Sequence, residues 1–225
     1  MPIEDVVLGA ILGGAFTLFG SWAQQRHSRK LAQADERRER IYAPLFDELD
    51  ILDKSLEAFE RTAGQTKEYE RIKAEHILYM VPKKLRPDVV RLYEDLLVRF
   101  DEQLHAAKKR LEKRMYDDLI AGGPVGATKE AAARNLAVMA HYVSAGQLPD
   151  EEELKRHMQD AFRLLKSQSW QSVQRFTSLE ELFEERKKSQ VVQADLTPLR
   201  RLQQESLNLL LEIRKQISKD LGAEL

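Results

Sequence analysis

Eighteen consecutive residues without a charge, Val6 to Ala23 (VVLGAILGGAFTLFGSWA), constrain this chain more than any other stretch. As a helix rising about 1.5 Å per residue they would reach roughly 27 Å, the hydrocarbon thickness of a thin bilayer. The run is apolar around nearly its whole circumference, whereas a surface helix keeps a polar face. It also holds Gly9, Gly13, Gly14 and Gly20, which weaken a helix in water and are common in membrane helices. A buried core helix and a cleaved secretory signal are the rival readings. The signal reading conflicts with charge order: Glu4 and Asp5 precede the run, and Arg26, Arg29 and Lys30 follow it. The same asymmetry predicts a single pass through an inner or plasma membrane, with the N-terminus outside and the body in the cytoplasm.

Gly9, Ala10, Gly13, Gly14 and Gly20 put small residues on this helix, so two such helices could approach closely and self-associate. Arg26, Arg29 and Lys30 are placed to meet lipid headgroups, although basic flanks also serve simply to fix topology. The sequence therefore divides into a transmembrane anchor at 1–25, a juxtamembrane and long helix at 26–60, and a cytoplasmic helical bundle at 61–225 that packs with 41–60.

Beyond the run the pattern is helical throughout. Ile41, Leu45, Leu49, Leu52, Leu56 and Phe59 recur at intervals of four, four, three, four and three, close to a heptad seam. Pro44 interrupts that stripe without an amide to donate, which predicts a kink or a new helix start between Tyr42 and Leu45. After a break around Gly64, a short helix is expected over Lys67–Val81. Pro87 then opens the clearest seam: Val89, Tyr93, Leu96, Phe100, Leu104, Ala107, Leu111 and Met115. Its partner is either the Leu45–Phe59 stripe of the same chain or a neighbouring copy. Leu45, Leu49, Leu52, Leu56, Phe59, Leu96, Phe100, Leu104 and Leu111 are accordingly the candidate interaction seam.

The segment AGGPVGA, from Ala121 to Ala127, predicts a break, and Thr128 is the candidate cap of a packing helix extending to Val143. Pro149 and the acids Asp150 to Glu153 suit the start of another helix, with Leu154, Met158, Ala161, Phe162, Leu165 and Trp170 facing inward. Ser178 and Glu181 have capping-box spacing. Thr197 and Pro198 predict the start of a last helix whose inner face carries Leu199, Leu202, Leu209, Leu210, Ile213 and Ile217. The fold class expected is all-α, a membrane helix followed by a multi-helix bundle with long coiled-coil-like helices.

Site chemistry is sparse. With no cysteine, thiol chemistry and sulfur-ligated metal sites are excluded. Glu102 and His105 form a single E-x-x-H pair, whereas a two-metal carboxylate bundle needs a second copy and two more glutamates. Phosphate-loop, dinucleotide and metalloprotease motifs are missing. Lys108, Lys109, Arg110, Lys113 and Arg114 are the densest basic cluster, but Glu112, Asp117 and Asp118 interrupt it and no aromatic platform accompanies it. A formal net charge of -1 likewise gives no support for bulk nucleic-acid binding. The reading is a non-enzymatic, cofactor-free scaffold or adaptor at the membrane, with the lipid bilayer, further copies of itself and a cytoplasmic protein as partners. The alternative is an oligomeric ion-conducting or membrane-disrupting effector.

Overall fold

The computed structural model describes residues 22 and 24–223, except 122–125 and 168–169. An exposed helical arm, α1 (24–37), leads through a π-helical turn at Arg38–Tyr42 into α2 (Ala43–Glu57). α3 (Lys67–Ala74) and a 3₁₀ turn at Leu78–Met80 precede α4 (Arg86–Arg91), which a second π turn at Leu92–Leu96 joins to α5 (Leu97–Ile120). Then come α6 (Ala127–Ala137), α7 (Ala140–Val143), α8 (Glu152–Ser167), α9 (Gln171–Gln174), α10 (Leu179–Lys188) and α11 (Gln190–Ala223).

The central layer is α2, α5 and α11. The Tyr42 hydroxyl donates to Asp220 at 3.1 Å, and Gln203 donates to the Leu56 carbonyl at 2.8 Å, so α11 runs antiparallel to α2. Arg91 pairs with Glu205 and Arg114 with Asp195, so α11 is antiparallel to α4 and α5 as well. Both apolar stripes are therefore closed within one chain: Leu45, Leu49, Leu52, Leu56, Phe59, Leu96, Phe100, Leu104 and Leu111 are all buried in a single core. Each buried leucine contributes about 2 kcal/mol relative to exposure. The second half of α5 carries the other helices, with α6 packed between it and α8, and α10 against α11.

The anchor expectation is corrected. Among the described residues no helix is long and apolar enough to cross a membrane. α11 has the length, at 34 residues, but Asp195, Arg200, Arg201, Glu205, Glu212, Arg214 and Lys215 place charges along it. The helix that opens the described chain, α1, is polar and exposed nearly throughout, and Arg26, Arg29 and Lys30 lie on it. The run from Val6, with Gly9, Ala10, Gly13, Gly14 and Gly20, lies outside the described residues apart from Trp22. Single-pass topology, the lipid bilayer as partner, the membrane location with its stated orientation, and both membrane functions, tethering and conduction, rested on that span. None is carried further. Self-association through the Leu45–Leu111 seam loses its surface too, because the seam is spent on the chain's own core.

Several helix boundaries also differ from expectation. Pro198 lies inside α11, which starts earlier at Gln190. Here the Thr197 hydroxyl donates back to the Gln193 carbonyl at 2.9 Å instead of capping a new helix. α6 starts at Ala127 with Gly126 before it, so Thr128 is not its cap, and the expected continuous helix to Val143 is broken between Ala137 and Ala140. Ser178 does cap α10, accepting the Glu181 amide at 3.2 Å. The Glu181 carboxylate returns to Thr177, one residue further out than a capping box requires.

Candidate functional site

The backbone around α3 is held by side chains from other helices. Pro44 has no N–H for the carbonyl of Arg40, four residues earlier, and Arg71 of α3 donates to that carbonyl at 3.1 Å. The same arginine pairs with Glu68 at 2.8 Å and Glu75 at 3.2 Å. At the other end of α3, its free amides find no cap in Thr66. They use Glu48 of α2 instead: the Glu68 and Tyr69 amides donate to its carboxylate at 2.6 and 3.2 Å. Burial pushes the Glu48 carboxyl upward, and these amide bonds only partly offset it. Tyr69 stacks on Tyr93 of the second π turn with ring centroids 4.2 Å apart, and its hydroxyl donates to Glu94 at 2.8 Å. α3 is thus pinned between both π turns, a form of irregularity that often accompanies function.

Beside this junction lies a groove of about 670 Å³, bounded by α2, Glu39 of the first π turn and the residues at the start of α3. Ala43, Pro44 and Ile51 make its apolar floor, and Ile51 is 51% exposed, pointing away from the leucine stripe. Around it stand the carboxylates of Glu39, Asp47, Glu48 and Glu68, against one ammonium, Lys67. Glu48 and Glu68 are engaged by the amides and by Arg71, whereas Glu39 and Asp47 are exposed and make no ion pair among the described residues. Gln65, also in the wall, has a side-chain carbonyl with no hydrogen-bond partner. An apolar floor under an acidic rim suits a cationic ligand with an apolar anchor.

A second cleft, of about 460 Å³, lies where the loop after α2 meets the α7–α8 connection. Its lining includes Phe59, Lys108, His141 and Tyr142, with Glu60, Asp150 and Glu151 among the acidic groups. Lys108 donates to the Phe59 carbonyl at 3.2 Å, and burial lowers its ammonium below the usual lysine value. His141 meets Glu112, one turn beyond Lys108 on α5, at 2.6 Å between Nε2 and the carboxylate.

The basic cluster does not form a field. Lys108 turns into this cleft, while Arg110 and Arg114 reach Asp195. Glu102 and His105 are both exposed on α5, and among the described residues no group of potential metal ligands converges. The groove residues Glu39, Asp47, Glu48, Ile51, Gln65 and Glu68 were not singled out by motif. The available signal was Ile51 itself, an isoleucine outside the buried register of α2. Compared with family models, curated proteins and solved structures, the chain matches none.

Proposed function

We propose that this chain is a non-enzymatic helical binding module whose groove beside the α3 N-terminus takes a basic peptide segment carrying one apolar anchor. The carrying observation is the half-exposed Ile51 floor beside the exposed carboxylates of Glu39 and Asp47, which make no ion pair among the described residues. A lysine or arginine of the ligand meets the rim, and its apolar side chain covers Ile51 and Pro44. Burial of the anchor supplies affinity, and the rim supplies orientation and encounter rate.

The test is fluorescence anisotropy with a labelled amphipathic leucine–lysine peptide, and a lysine–glycine peptide as a charge-matched control. Saturable binding of the first, weakened about tenfold by Ile51→Glu or by Asp47→Lys, is expected. Equal binding of both peptides, or indifference to both substitutions, rejects the groove.

A further inference from the structure

The Lys108 cleft supports a different chemistry. Lys108 stands apart from Arg91, Arg99, Arg110 and Arg114 on the same α4–α5 helix, each of which pairs with a carboxylate. Among the described residues it has no ion-pair partner, and its ammonium or amine donates to the Phe59 carbonyl. A neutral amine can keep that bond through one N–H while its lone pair stays free. An ammonium has no lone pair and must be solvated, which half-burial opposes more strongly than the nearby Glu60 carboxylate favours it. Lysines set in such desolvated surroundings are the ones that act as nucleophiles at neutral pH.

The space in front of the amine, about 460 Å³, is within the range of small-molecule sites. His141, tied to Glu112, and Tyr142 lie in its wall, so groups able to move a proton face the same space. The carboxylates of Glu60, Asp150 and Glu151 are exposed at its edge and disfavour an anionic guest.

We propose that Lys108 is a reactive amine that condenses reversibly with a small uncharged aldehyde or ketone held in this cleft. The amine lone pair attacks the carbonyl carbon, forming the C–N bond as the C=O π pair moves to oxygen. A proton passes from nitrogen to that oxygen, with His141 the wall group placed to carry it. The C–O bond then breaks, C=N forms, and the carbonyl oxygen leaves as water with the two amine protons. No oxidant or further reactant enters.

The experiment traps the imine on the unaltered full chain. Propanal and, in parallel, glyoxylate are added with cyanoborohydride at pH 7, and each lysine's reductive alkylation rate is read by peptide mass spectrometry. Lys109 and Lys113, exposed on the same helix, serve as internal rulers. Expected is propanal labelling of Lys108 at least tenfold faster than of Lys109, and a smaller Lys108/Lys109 ratio with glyoxylate. His141→Asn should lower the Lys108 rate while leaving that of Lys109 unchanged. Labelling of Lys108 no faster than Lys109 overturns the assignment. A Lys108/Lys109 ratio that is not smaller with glyoxylate overturns the stated preference for uncharged guests, and an unchanged Lys108 rate in His141→Asn overturns the proton-carrying role.

Discussion

Arg71 donates to the main-chain carbonyl of Arg40 at 3.1 Å, in the turn where Pro44 offers no N–H. A side chain from one helix thereby serves the backbone of another beside its proline. Similar substitutions of distant side chains for local caps recur through the fold: Asp101 accepts the Thr62 and Ala63 amides at 2.8 and 2.7 Å, and Lys187 donates to the Gly146 carbonyl at 3.0 Å.

The Arg71–Arg40 relationship is measurable as a coupling. Arg71→Met should cost about 1–2 kcal/mol, mainly through the carbonyl bond, since its exposed ion pairs contribute little. Pro44→Ala supplies the missing N–H, so in that background the same change should cost about 1 kcal/mol less. Urea denaturation of the four proteins gives the cycle, and strict additivity would show that Arg71 does not stand in for the lost donor.

His76 has φ +55 and Phe59 has φ +53, both in the left-handed region at helix ends. The Ile77 amide returns to Ile72 and the Glu60 amide to Ser55, the closure usually made with glycine between. His76 is exposed, so His76→Gly should raise stability by about 1 kcal/mol. Phe59→Gly should lower it by about 3 kcal/mol despite relieving the same strain, because Phe59 is buried against Phe100. Thermal unfolding of the two variants should therefore move in opposite directions.

Glu48 has a folded-state carboxyl raised above its ordinary 4.5 by burial. The stability tied to its protonated form is complete below that ordinary value and is lost as pH rises through the folded one. Glu75, held down by Arg40 and Arg71, and Glu94, held down by Lys73 and Tyr69, have the opposite sign and lose their contribution as pH falls. Glu48→Gln keeps an acceptor for α3 but cannot ionise. Its stability relative to the parent should improve as pH rises from 4 to 7, as read by urea midpoints; a constant difference would contradict the raised carboxyl.

Pro198 sits on the exposed side of α11 and denies the Ala194 carbonyl its helical donor. Pro198→Ala should stabilise the chain by about 1–3 kcal/mol. A loss of stability would mean that the proline shapes α11 for its packing on α2 and α5.

Periodicity made the stripes at Leu45–Phe59 and Val89–Met115 legible, because burial on one helix face leaves a 3.6-residue signature wherever the partner lies. What filled the space between them was not legible, since a stripe specifies a face and not its neighbour; α11 closes both. Thr197–Pro198 had the chemistry of a helix start, yet packing of Val192 and Leu196 carried the helix through it. Caps from Glu48, Asp101 and Arg71 lie 20 to 39 residues from the backbone they serve, beyond any local motif. The groove stayed hidden for the same reason: Ile51 and Asp47 share α2, but Gln65 and Glu68 reach them only once Glu48 has fixed α3. The run from Val6, the most conspicuous stretch of the sequence, lies outside the described residues apart from Trp22.

Hydrogen exchange of the full chain, free and saturated with the leucine–lysine peptide, measures most directly whether the acidic groove is the binding surface. Slowed exchange confined to 39–51 and 64–68, and abolished by Ile51→Glu, is the expected result. Protection centred on α5 to α10, or no protection at 39–51 while the peptide is demonstrably bound, would contradict it.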